Sequence, residues 1–293
     1  MNMIMKNSTD LITCLSNSPD REFDAKSTSF KQILCNIDLA DFDGREERLQ
    51  KVIRYNKYSP MFYRTNLLIH TKRVRWMFED IIPYLEKVFP DMDVEKGRII
   101  AEIHDDPEII TGDTLYCIKN TMSREETIKM KEEEEKAIDI ISKDWPKKIN
   151  GYSYKDLLLH ASRKDIIETI AISYVDKIDA WCESLHELFA GNSIFHSGEG
   201  IFSPPVRGRT ISEFPDKFPQ LKPLFVFDHP FFSRIPTIDK TNILRNGSRH
   251  TLKSISKSTG IPHYDRWKYL TMKNGGLQGI SWLINPVEKI IAA

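Results

Sequence analysis

Hydrophobic residues recur at helical spacing through the first two thirds of the chain. Over Thr65–Val88 the apolar positions are Leu67, Val74, Phe78, Ile81, Ile82 and Leu85, with His70 and Met77 on or beside the same face. This predicts a long amphipathic helix that Pro90 and Asp91 end. Ile99, Ile100 and Ile103 form the stripe of a second, short helix over Ile99–Asp105. Pro107 resists continuation, which should push Asp106 out of helical geometry and close the element. Residues 41–58, with Leu49, Val52 and Ile53, predict a short helix leading into Arg54-Tyr55.

Residues 106–122 read as a loop. Ser123 and Glu126 then fit a capping box. The helix behind it has Ile128, Ala137, Ile138 and Ile141 as its expected buried stripe, and Asp144-Trp145-Pro146 as its end. Its acidic run Glu132–Glu135 reads as a solvated face. A further helix is predicted over Ile166–Phe189, with Ala190-Gly191-Asn192 as its stop. No segment reads convincingly as a strand, so the fold class is all-α.

Beyond Asn192 the pattern changes. Pro and Phe crowd residues 196–245, as in Phe214-Pro215, Phe218-Pro219 and His229-Pro-Phe-Phe232. That density predicts an ordered wrap against a domain rather than a free linker. Residues 250–290 read as a helical hairpin around Thr259-Gly-Ile261. Its outline is that of a helix-turn-helix, but no arginine cluster marks a DNA-reading helix, so packing outweighs nucleic acid binding. The organisation expected is a loose leader over 1–40, a helical domain over 41–195 and an extension over 196–293.

Composition narrows the classes. The 42 basic and 42 acidic residues balance, so no global field selects nucleic acid or anionic lipid. Five Trp and fifteen Phe are enough for a substantial core. The four cysteines form no Cys-x-x-Cys, which argues for a reducing compartment. With no apolar leader and no membrane-length window, the expectation is a cytoplasmic protein.

The candidate chemistry lies on three of these helices. His104 and Asp105 leave the end of one helix side by side, where a single ion can meet both. His70 sits near the inner face of the helix before. Asp176 stands three residues from Asp179 at the edge of the buried side made by Ile170, Tyr174, Ile178, Trp181 and Leu185. A carboxylate at such an edge is costly unless paired or metal-bound. For each residue alone the ordinary reading competes: a helix-capping His104, a satisfied core His70, and a salt bridge from Asp176 to Lys177 or Arg163.

Together the residues resemble the HD-domain metal-dependent phosphohydrolases, with His…His-Asp…Asp in that order. His104-Asp-Asp-Pro-Glu108, Thr111-Gly-Asp113 and Lys119 are similar to the His-Asp-x-x-Glu…Thr-Gly-Asp…Lys pattern of the YfbR-like 5′-deoxynucleotidase branch. Asp176, followed by Glu187-Leu188 and Ala190-Gly-Asn192, is similar to that branch too. Arg54-Tyr55 resembles its Arg-Trp pair after a one-residue shift. The resemblance covers about residues 50–195. Leu68-Ile69 precede His70 where the family carries Ser/Ala-Glu, and the tail has no counterpart in short members.

The resemblance implies an HD helical core holding one divalent metal ion on His70, His104, Asp105 and Asp176. Mn, Co, Fe, Ni, Zn and Mg all suit mixed His and carboxylate donors. It implies Glu108 as the group that positions or deprotonates water, and Asp113 at the sugar hydroxyl or leaving oxygen. Arg54, Tyr55 and Lys119 become the substrate contacts, Arg54 and Lys119 at phosphate. The expected reaction is hydrolysis of a (deoxy)nucleoside 5′-monophosphate to nucleoside and phosphate. A nucleoside triphosphate hydrolase on the same site is the alternative. A non-catalytic scaffold with a partner- or nucleic-acid-binding tail is the second alternative. The partner expected is a nucleotide substrate; the tail could lid the site, join a homo-oligomer or shield the core.

Overall fold

The computed structural model describes residues 37–55, 65–113, 122–189, 192, 195, 204–236 and 258–274. In chain order these form α1 (Arg45–Lys51), α2 (Leu67–Val88), α3 (Val94–Ile103), α4 (Glu108–Thr111) and α5 (Arg124–Ile141). A two-stranded hairpin follows, β1 (Lys148–Ile149) with β2 (Tyr152–Ser153), and then α6 (Tyr154–Arg163) and α7 (Ile167–Phe189). The tail contributes α8 (Pro204–Lys217), 3₁₀ turns over Pro219–Val226 and Pro230–Phe232, and α9 (Pro262–Lys273). Most of the leader, part of the wrap and the outer parts of the expected hairpin (250–257 and 275–290) lie outside the described residues.

The all-α expectation holds: among the described residues the only sheet is the two-residue hairpin. Its turn is Asn150-Gly151, both at positive φ, the local chemistry that tight hairpins require.

Helices α2, α3 and α7 make the frame. Asn66 caps α2 by accepting from the Ile69 amide at 3.1 Å, and Asp93 caps α3 by accepting from Lys96 at 3.0 Å. Buried residues surround α2 on most faces, among them Leu67, Val74, Phe78, Ile81 and Leu85. It is therefore a core helix rather than a surface one. α3 packs close beneath it at Gly97, where an added Cβ would lie 2.7 Å from Phe78 Cζ. Only glycine permits that approach without moving the ring. Loss of a core ring such as Phe78 would cost about 3–5 kcal/mol.

Three local expectations are revised. The element expected over Ile99–Asp105 starts earlier and ends at Ile103. Asp106 lies beyond that end, out of helical geometry as expected, and its side chain turns into the core. It is fully buried, gripped by Arg45 Nε at 2.9 Å on both oxygens and by Tyr154 Oη at 2.8 Å. Pro107 opens the short helix α4 instead of starting a plain loop, because proline's fixed φ suits a helix start. On α5 the capping box at Ser123 and Glu126 is present, but Ile128 is 49% exposed and only Ala137, Ile138 and Ile141 are buried.

The described tail packs on the same apolar cluster as the helices before it, through Phe214, Leu221, Leu224, Phe231, Phe232, Tyr264 and Trp267. Tyr174 of α7 has Phe214, Phe225 and Phe232 around its ring, and its hydroxyl donates to the Phe231 carbonyl. No helix among the described residues is long and apolar enough to cross a membrane.

Candidate metal centre and substrate cavity

His70 lies in the first turn of α2 and is 1% exposed. His104 is the residue that closes α3, with Asp105 next to it, and Asp176 stands at mid-α7. These four side chains meet. His70 Nε2 is 3.2 Å from Asp105 Oδ2 and 3.3 Å from Asp176 Oδ1, and His104 Nε2 is 3.4 Å from Asp105 Oδ1. One ligand atom each from His70, His104 and Asp105 lie within 4.8 Å of one another. Asp176 lies outside that triplet and touches it through His70.

Hydrogen bonds settle which imidazole nitrogen faces the cluster. His70 Nδ1 donates to Asp179 at 2.7 Å, and His104 Nδ1 donates to the Ala101 carbonyl at 3.0 Å. In a neutral imidazole each Nε2 then keeps its lone pair for the centre. His104 Nε2 is buried and has no hydrogen-bond partner among the described residues. An unmet polar atom in that position is costly, and a cation would satisfy it. Two imidazoles and two carboxylates are a suitable donor set for a divalent ion.

The electrostatics agree. Burial and the nearby Arg54 pull His70 toward the neutral form, yet hydrogen bonds to Asp105, Asp176 and Asp179 outweigh them and hold its pKa well above the ordinary value. Burial alone would raise Asp176, but Lys177 and the two histidines keep it far below the usual carboxylate range. The carboxylates around His70 Nε2 thus require a positive charge, which the imidazole proton supplies here and a bound cation would supply in its place. Lys177 Nζ takes Asp176 Oδ2 at 2.5 Å, leaving Oδ1 toward His70. Arg163, the other partner considered for Asp176, pairs instead with Glu135.

The centre forms the floor of a cavity of about 360 Å³. Glu108, the first residue of α4, and Asp113 stand on its wall. Gly112 makes the turn between them at φ 76°, a conformation glycine adopts freely. Asp113 Oδ2 accepts from the Tyr55 amide at 3.3 Å, which ties the Arg54-Tyr55 segment to this wall. Tyr55 holds a positive φ of 54°, uncommon for an aromatic residue, and its hydroxyl donates to Glu183 at 3.0 Å. Arg54 is buried, 3.4 Å from the same Glu183. Lys119 lies outside the described residues. Glu133 and Glu134 of α5 also line the cavity, so part of the acidic run faces it rather than open solvent alone.

Four side chains outside the sequence-derived set belong to this neighbourhood. Asp179 and Glu183, one and two turns past Asp176, anchor His70, Arg73 and Tyr55 from beneath. Their i, i+4 spacing is readable, but a helix also carries such pairs on its surface. Arg207 and Thr210 come from α8 in the tail and line the cavity, with the Arg207 guanidinium 5.5 Å from the Tyr55 ring centre. No periodic pattern in the Pro/Phe-rich segment points to them.

Comparison with known proteins adds a family. Residues 46–206 match the family model described as 5′-deoxynucleotidase YfbR-like. No curated protein matches the chain. Among solved structures, a conserved hypothetical protein from Pyrococcus furiosus is similar at 20% identity and a TM-score of 0.40, over 69% of this chain and 92% of that chain.

Proposed function

The chain belongs to the YfbR-like 5′-deoxynucleotidase family, a group of HD-domain phosphohydrolases, and on that footing we propose that it is a divalent-metal-dependent hydrolase of (deoxy)nucleoside 5′-monophosphates. The observation that carries the reading is the convergence of His70, His104 and Asp105 within 4.8 Å, beside Asp176 and under a cavity large enough for a small ligand. When bound, a divalent ion supplies Lewis acidity toward a phosphoryl oxygen and lowers the pKa of a water.

The protein's own groups divide the remaining work. Asp179 and the Ala101 carbonyl hold the two imidazoles in the tautomer that presents Nε2. Glu108, at the rim of the same centre, orients the attacking water and accepts its proton. Asp113 receives the sugar hydroxyl or assists the leaving oxygen. Arg54, ahead of α2, and Arg207, of α8, bring positive charge to the cavity, in keeping with an anionic substrate. Tyr55, fixed between these two guanidinium groups, supplies a flat apolar wall.

The test is metal content followed by phosphate release. Purified protein should bind about one divalent ion per chain and release inorganic phosphate from dAMP, and Asp105→Ala should lose both. Release of triphosphate from dATP with dAMP untouched would move the assignment to a triphosphate hydrolase. Absence of metal, with Asp105→Ala as active as wild type, would leave the scaffold reading.

A further inference from the structure

The carboxylate behind His70 is fixed partly from the far end of the chain. Asp179 is fully buried and accepts four hydrogen bonds. Arg73 Nε at 2.7 Å and Trp267 Nε1 at 2.6 Å meet Oδ1, while an Arg73 guanidinium nitrogen at 2.9 Å and His70 Nδ1 at 2.7 Å meet Oδ2. A carboxylate offers about four lone-pair directions, so all are taken and its plane cannot turn without breaking a bond. His70 and Arg73 both come from α2, one turn apart. Trp267 is the donor that comes from elsewhere, on α9 of the tail.

We propose that Trp267 is a positioning residue of the metal centre. By donating to Asp179 it fixes the carboxylate that orients the His70 ring, so docking of α9 sets how tightly the centre holds a cation. This rests on the metal-centre reading above. Groups that orient a metal-binding imidazole from behind typically affect metal affinity by about 10–100-fold. The competing role is packing alone: Trp267 is buried, lies 5.7 Å from the Tyr264 ring and has the Arg73 guanidinium 5.2 Å above it. Trp267→Phe separates the two roles, since it keeps an aromatic ring and removes the N–H.

The experiment uses the full chain, stripped with a chelator and titrated with Co²⁺. It reads the dissociation constant by competition with a chromogenic chelator, the visible absorption band of bound Co²⁺, and the Tm of the stripped protein. Trp267→Phe should weaken Co²⁺ binding about tenfold and alter the band, with Tm little changed; Asp179→Asn should weaken it by up to about a hundredfold. Equal affinity and an identical band in Trp267→Phe would reduce the residue to packing and overturn the proposal. Should that variant not fold, replacing Trp267 with benzothienylalanine, which keeps the bicyclic ring and lacks the N–H, decides by the same criteria. Wild-type protein that binds no Co²⁺ removes the metal reading and this proposal with it. Wild type that binds normally beside an unaffected Trp267→Phe sinks the positioning role alone.

Discussion

Two buried clusters in this molecule are built from the same three residue types, an aspartate, an arginine and a histidine. Beneath the cavity, Asp179 takes Arg73 and His70. At the seam with the tail, Asp80 takes Arg266 Nε at 2.9 Å and His229 Nε2 at 3.1 Å. The difference lies in the second nitrogen of each ring. His229 Nδ1 accepts from the Phe231 amide at 3.1 Å, so that imidazole closes on its own backbone. His70 Nε2 instead faces the carboxylates of Asp105 and Asp176 directly, at the cavity. A buried histidine becomes a candidate ligand when the rest of the protein leaves one nitrogen to a shared space. Adjacent residues of α9 serve both clusters, Arg266 at Asp80 and Trp267 at Asp179. The seam and the centre are therefore mechanically joined although their chemistry differs.

The largest expected effect separates the two histidines. His70→Gln should abolish tight Co²⁺ binding and lower phosphate release on the order of 10³-fold, the scale of the several kcal/mol a metal ion contributes. His229→Leu should leave Co²⁺ affinity near wild type and register only as a lower Tm. Equal losses of Co²⁺ binding in both variants would break the distinction. Next in size is Asp80→Ala, which leaves the Arg266 guanidinium without its carboxylate at the seam. Removing one partner of a buried pair costs about 3–5 kcal/mol, read as a drop in the urea midpoint. Because α9 loosens without losing Trp267, Co²⁺ affinity should fall less than in Trp267→Phe. A larger fall would mean that the seam, rather than the indole N–H, governs the centre.

The sequence carries one of these clusters far better than the other. His70, His104, Asp105 and Asp176 stand on helices whose apolar period is strong, and their order along the chain has a family likeness. The capping box at Ser123 is likewise local chemistry that reads directly. Asp80, His229 and Arg266 are 149 and 186 residues apart along the chain, so only the folded packing pairs them. The same holds for Asp106, whose partner Arg45 is 61 residues away. Arg207 reaches the cavity from a segment whose Pro and Phe content hides the helical period of α8. The hairpin at Asn150-Gly151 is a different case. Its turn signature is local and strong, but strands of two residues are too short to alternate.

The smallest predicted effect tests the seam by titration. Burial would raise the Asp80 carboxyl, but Arg266 and His229 more than offset it and lower its pKa from 3.8 to about 2. In the unfolded chain the group takes up its proton near 3.8, whereas in the folded protein it waits until about 2. The unfolded state binds more protons between those values, so stability falls as pH falls through that window. Above it the contribution is complete, about 2 kcal/mol; below it the contribution is gone. The measurement is the difference in unfolding free energy between wild type and Asp80→Ala, followed from neutral pH into acid without added metal. The gap should stay constant down to about the ordinary carboxylate pKa and then narrow by about 2 kcal/mol. A gap that stays constant through the window would mean that Asp80 is not the charged partner of Arg266 in solution. The likeness between the two clusters would then be one of residue types only.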